Sequence, residues 1–155
     1  MLNAAQPILV VEDSPEDFEA TVRAFQKSRL RNPVYRCVDG DDALDFLFQR
    51  GKYSDPAQAP RPGLILLDLN MPLKDGRECL QEIKSHSRLR RIPVVILTTS
   101  RADEDICRTY DLGANSYISK PVTFEGLVAV MKTLSRYWFD IVQLPAQGGG
   151  ECRGS

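Results

Sequence analysis

The chain of 155 residues is long enough to bury the core of one domain. Its 20 lysines and arginines nearly balance 21 aspartates and glutamates, and the net charge of -1 offers no footprint for nucleic acid and no polybasic anchor for a membrane. No apolar run reaches the length of a bilayer span, and the start MLNAAQPILVVED lacks the basic opening and long apolar stretch of a signal peptide, so a cytoplasmic protein is expected.

Short β-type runs alternate with helical patterns along the chain. PILVV (7–11) reads as a buried strand, after which Phe18, Val22 and Phe25 recur at helical spacing to about residue 28. VYRCV (34–38) is the second strand, and DDALDFLFQ (41–49) a helix with Ala43, Leu44, Leu47 and Phe48 on one side. The stretch 49–63, QRGKYSDPAQAPRPG, is rich in Pro, Gly and Ala and is expected to project as an irregular loop. GLILLD (63–68) is the third strand, and DGRECLQEIKS (75–85) a helix that buries Cys79, Leu80 and Ile83. PVVILT (93–98) is the fourth strand, DEDICRTYDLG (103–113) a helix closed by Gly113, and SYISK (116–120) a short last strand. A final helix runs from about Thr123 to Val142, and PAQGGGECRGS (145–155) is expected to be a flexible tail on a domain spanning 1–144.

Apolar strands without alternation, separated by helices, imply a parallel sheet covered on both faces, an α/β doubly wound domain. The cysteines Cys37, Cys79, Cys107 and Cys152 show no C-x-x-C spacing, which disfavours zinc and dithiol redox chemistry; the first three are expected to be small buried thiols. The single histidine, His86, follows a helix and is expected to be solvated, which argues against a catalytic triad or a phosphohistidine carrier.

In an open parallel sheet, ligands collect at the carboxyl ends of the strands. Those ends carry Glu12 and Asp13, then Asp68, then Thr98, then Lys120. Three carboxylates brought together repel one another unless a hard cation joins them, and oxygen-only ligands suit Mg²⁺ better than zinc. A carboxylate beside a metal and a lysine can attack a phosphoryl group, so Asp68 is the candidate nucleophile, Lys120 an ion-pair partner and Thr98 a hydrogen-bond donor for the phosphoryl oxygens.

The ordered set of Glu12-Asp13, Asp68 within LLDLNMP, Gly76 within KDG, Thr98 within PVVILTTS and Lys120-Pro121 within YISKP resembles the receiver domain of two-component response regulators. The resemblance spans residues 7 to about 142 and includes the spacings from Asp68 to Thr98 and from Thr98 to Lys120. It implies a flavodoxin-like (βα)5 fold of strand order 2-1-3-4-5, with Asp68 phosphorylated by a partner sensor histidine kinase. Carried over to this chain, Asp13 and Asp68 would ligate Mg²⁺ directly (Mn²⁺ could substitute), Glu12 would act through water, and Asn70 would offer its backbone carbonyl. Tyr117 matches the aromatic residue whose ring position reports the Thr98 contact, and Thr99 stands where many receivers carry alanine. DALDFLFQRGKY, LDLNMPLKDGRE, RIPVVILTTS and YWFDIVQLP are further similar to single-domain regulators that partner phytochrome-type histidine kinases, which implies red-light signalling and a protein without an output domain of its own.

Two other activities share parts of this pattern. A haloacid-dehalogenase-type phosphatase needs a second aspartate two residues after the nucleophile, where this chain has Asn70. A flavodoxin-type FMN carrier needs a hydroxyl- and glycine-rich phosphate cradle after the first strand, where this chain has EDSPED. The final helix carries Phe124, Leu127, Val128, Met131, Leu134, Trp138 and Ile141 on one stripe; Val130, Tyr137 and Phe139 fall largely outside it, and Ile141 to Leu144 continue apolar beyond. A homodimer through this C-terminal region, using Val130, Tyr137, Phe139, Ile141 and Leu144, is therefore expected.

Overall fold

The computed structural model describes residues 6–71, 75–99 and 103–137. In chain order these form β1 (Ile8–Val11), α1 (Pro15–Lys27), β2 (Val34–Cys37), α2 (Gly40–Phe48), β3 (Leu64–Leu67), α3 (Gly76–Ser85), β4 (Val94–Thr98), α4 (Asp103–Asp111), β5 (Ser116–Ser119) and α5 (Phe124–Ser135). The five strands make one parallel sheet of order β2-β1-β3-β4-β5, the doubly wound flavodoxin-like arrangement.

All residues of β1, β3 and β4 are buried, yet their side chains still divide by alternation into two cores. Leu9, Val11, Ile65, Leu67, Val94 and Ile96 face one core, shared with Ala43, Leu44 and Phe46 of α2 and Cys79, Leu80 and Ile83 of α3. Ile8, Val10, Leu64, Leu66, Val95 and Leu97 face the other, with Ala24 and Phe25 of α1 and Met131 and Leu134 of α5. Helix starts are set locally: Ser14, Asp39, Asp75 and Thr123 cap α1, α2, α3 and α5 with their side-chain oxygens. Gly113 closes α4 at φ 105, a conformation that other residues rarely adopt.

Four expectations need correction. Phe46 is among the largest fully buried side chains, whereas the helical pattern singles out Leu47 and Phe48, which are only partly buried. The stretch 49–63 is irregular for most of its length and exposed over residues 54–58, but it does not stand free of the domain. It contains a single 3-10 turn, Gly51–Tyr53, and folds back along α2. The Tyr53 ring packs edge-on against Phe46 at 5.1 Å, its hydroxyl donates to Asp42 Oδ1 at 2.8 Å, Gln49 Nε2 donates to the Ala59 carbonyl at 2.9 Å, and Ala59 is buried. These two corrections are one, because the returning loop covers the side of α2 that carries Phe46. Cys37 and Cys79 are buried, but Cys107 is exposed because it lies on the outer side of α4. His86 is half-buried rather than solvated: its ring stands edge-on to Phe48 at 4.7 Å, and its Nδ1 accepts from the Arg88 N–H at 3.2 Å.

Candidate functional site

Strand register brings the site together. Val11 lies beside Leu67, and Leu67 beside Ile96, so the residues that follow the strands emerge side by side along one edge of the sheet. Hydrogen bonds continue across the strand ends: the Asp68 N–H donates to the Val11 carbonyl at 3.1 Å and the Lys120 N–H to the Thr98 carbonyl at 2.7 Å. Glu12, Asp13 and Asp68 each present a carboxylate oxygen within 4.8 Å of one another. Glu12 is 4% exposed and Asp68 7%, so their charges are largely withdrawn from water.

The Lys120 ammonium answers part of that charge. Its Nζ donates to Glu12 Oε1 at 2.5 Å, Asp17 Oδ2 at 3.1 Å and Asp68 Oδ2 at 3.4 Å. Burial pushes the Glu12 carboxyl above its ordinary value even against the pull of Lys120. Burial of Lys120 favours its neutral form, but the hydrogen bond to Glu12 and the charge of Asp68 outweigh it and hold the ammonium above its usual range. Two buried carboxylates and the more exposed Asp13, so close together and offering oxygen donors alone, fit a hard divalent cation.

The surrounding loops hold these groups in place. Arg36 of β2 reaches over the turn after β1, donating to the Glu12 carbonyl at 3.2 Å and the Asp13 carbonyl at 3.1 Å, with Phe18 of α1 beneath its guanidinium at 5.3 Å. The Asn70 N–H donates to Asp68 Oδ1 at 3.2 Å, and its side-chain amide donates to Thr98 Oγ1 at 3.3 Å, so Asn70 bridges the two strand ends. Thr98 is fully buried. Gly76 opens α3 directly behind the loop after β3: its N–H donates to the Leu69 carbonyl at 3.0 Å, and a Cβ there would lie 2.3 Å from the Asp68 carbonyl oxygen.

Glu12, Asp13, Asp68, Asn70, Thr98 and Lys120 thus converge. Tyr117 is half-buried in β5 beside Ile96, packed on the core shared with α2 and α3, and its N–H donates to Tyr110 Oη at 3.2 Å. Val130 is half-buried and packs against the core under α5, so the expectation that it stands outside the buried stripe is corrected. It also lines a surface groove of about 520 Å³ with Tyr110, Tyr117, Leu134 and Tyr137. Phe139, Ile141 and Leu144 lie outside the described residues. Two functional contacts, those of Arg36 and Asp17, carry no signal in the sequence, since each residue meets its partner across long sequence separation.

Residues 8–132 match the family described as the response regulator receiver domain. Response regulator Rcp1 of Synechocystis sp. is 41% identical over 144 residues, covering 93% of this chain and 96% of that protein. Among solved structures, the phosphorylated cyanobacterial phytochrome response regulator RcpA superposes with a TM-score of 0.84 at 42% identity, covering 92% of this chain and 99% of RcpA. The Mn²⁺-bound form of Rcp1 superposes with a TM-score of 0.82 at 41% identity, covering 91% of this chain and 99% of the other.

Proposed function

The chain belongs to the response regulator receiver domain family, and from that membership we propose that Asp68 accepts a phosphoryl group from a partner histidine kinase. The observation that carries this reading is the meeting of a buried aspartate with two further carboxylates, a lysine ammonium and, through Asn70, a threonine hydroxyl. A carboxylate oxygen of Asp68 attacks phosphorus as the bond to the donor imidazole nitrogen breaks, and the imidazole leaves neutral or takes a proton. Lys120 pairs with a phosphoryl oxygen, and the Thr98 hydroxyl, which accepts from Asn70, donates its own proton to another. Asp13 and Asp68 would hold Mg²⁺ directly, with Glu12 acting through water and the Asn70 carbonyl completing the protein ligands; Mn²⁺ could replace it. The bound cation supplies neutralisation of charge on the transferring oxygens.

The rival activities are disfavoured by the same residues. The Asn70 amide is a hydrogen-bond donor to Thr98 and has no proton to give as a general acid. The turn after β1 and the first turn of α1 present Glu12, Asp13, Glu16 and Asp17 where a flavin phosphate would need donors. Incubation with acetyl phosphate and Mg²⁺ should add one phosphoryl group to the protein by intact mass, and Asp68→Asn should remove the adduct because an amide cannot act as nucleophile. Persistence of the adduct in that variant would refute the assignment.

The kinase partner is of the phytochrome type. Support comes from RcpA, a phytochrome response regulator 42% identical over nearly its whole length. Phosphotransfer from a phytochrome kinase faster than from an unrelated histidine kinase tests this step. A homodimer through the C-terminal region is supported by Tyr137, half exposed at the end of α5, and by the apolar residues Phe139, Ile141 and Leu144 that follow it. Sedimentation should show the full chain dimeric and a version ending at Tyr137 monomeric; a monomer at tens of micromolar for the full chain refutes it.

A further inference from the structure

Asp17 lies in the first turn of α1, away from the strand ends, yet its Oδ2 accepts from Lys120 Nζ at 3.1 Å. Its backbone is pinned on both sides: the Asp17 N–H donates to Ser14 Oγ at 3.2 Å, and Thr21 Oγ1 donates to the Asp17 carbonyl at 2.9 Å. The carboxylate is therefore offered to Lys120 from a fixed frame. An ammonium has three donors, and Lys120 commits all three to carboxylates, those of Glu12, Asp17 and Asp68. The donor on Asp68, the longest of the three contacts, can pass to a phosphoryl group formed there, but a second donor becomes available to that group only if the ammonium leaves Glu12 or Asp17. Glu12 is the worst group to release, since its side chain is 5% exposed and would be left buried and unpaired. The Asp17 side chain is 52% exposed, so water can take over its charge at little cost. A recess of about 180 Å³ between α1 and the turn after β5, lined in part by Asp17, Thr21, Lys120 and Pro121, leaves the lysine room to move.

We propose that Asp17 is a positioning residue that holds the Lys120 ammonium toward α1 and competes with the phosphoryl group for it, so that phosphoryl arrival has to draw Lys120 away from the helix. The proposal rests on the reading of Asp68 as phosphoacceptor. It makes the first turn of α1 a sensor of the site's occupancy, and it sets how firmly a phosphoryl group is gripped.

The test is titration of the full chain with beryllofluoride, a phosphoryl mimic, in the presence of Mg²⁺, followed by calorimetry and by fluorine NMR of the bound species. Release of one half-exposed ion pair should make Asp17→Asn bind about two- to fivefold more tightly than the unsubstituted chain. Asp17→Glu, which keeps the charge and can still reach, should return to the original affinity, and Glu16→Gln, which removes a neighbouring charge not on Lys120, should leave it unchanged. In a Lys120→Met background, Asp17→Asn should have no effect. An unchanged affinity for Asp17→Asn overturns the proposal, as does an equal gain in the Lys120→Met background, which would mean a simple field effect. If the unsubstituted chain does not bind beryllofluoride, the phosphoacceptor reading itself fails and this proposal falls with it.

Discussion

Replacing Gly76 by alanine places a methyl group where the backbone of the phosphoacceptor loop already stands. The added Cβ would lie 2.3 Å from the Asp68 carbonyl oxygen and 2.7 Å from the Leu69 Cα. Both are backbone atoms, so no side-chain rotation relieves the clash, and α3 has to separate from the loop by at least about 0.7 Å to restore even the tightest contact of 3.0 Å. Overpacking of this kind costs about 1–3 kcal/mol, offset by at most about 1 kcal/mol of helix propensity. The displacement falls on the residues that carry the Asp68 carboxylate, and positional errors approaching 1 Å cost about 100-fold in well-aligned group transfer. Urea unfolding should report a loss of about 1–2 kcal/mol, and acetyl phosphate labelling should slow by about tenfold or more. Gly51→Ala separates the two effects. At φ 61 with nothing within 4 Å of the new Cβ, it should lose about 1 kcal/mol to backbone strain and label at the original rate. A Gly76→Ala protein that labels normally and unfolds within about 0.5 kcal/mol of the original would refute the reasoning.

Tyr53→Phe should destabilise the fold by about 1–2 kcal/mol in the same unfolding assay, since a hydrogen bond to a carboxylate is lost while the ring stays against Phe46; no change would mean that the loop is not docked. Lys84 donates to the carbonyls of Arg90 at 3.0 Å and Ile92 at 2.9 Å, and burial lowers its pKa to about 8. The folded chain therefore gives up this proton before the unfolded chain does, so stability relative to Lys84→Met should rise between pH 8 and about pH 10. A difference that is flat or falls across that window contradicts the burial argument.

Much of this site is legible in the amino-acid sequence, because a parallel sheet converts strand ends into neighbours. Glu12, Asp13, Asp68 and Thr98 each stand at or just after an unbroken apolar run, Lys120 follows the short mixed strand SYIS, and register gathers them. Asp17 carries no such marker. It sits inside a helix, 103 residues before the lysine it meets, and only the folded chain, with the first turn of α1 beside the turn after β5, brings the two together. Arg36 is hidden in the same way, since an arginine on an edge strand reads as solvated until the turn after β1 is seen beneath it. The loop at 49–63 departs from expectation for a different reason. Its Pro, Gly and Ala composition describes local backbone preference, whereas its path is decided by Tyr53 and Ala59 finding partners on α2.

The strand order also bears on how the chain is made. β1 is the first strand synthesised, yet it ends between β2 and β3, with partners on both edges. During N-to-C synthesis, β2 can join one edge once residue 37 has emerged, but the other edge of β1 stays open until β3 arrives. β3 in turn exposes LILL, buried in the finished sheet, until β4 closes over it from Val94 onward. A nascent chain that has emerged only as far as residues 68 to 93 would therefore hold out a fully apolar, unpaired strand edge, a point in biosynthesis at which this chain has need of a chaperone.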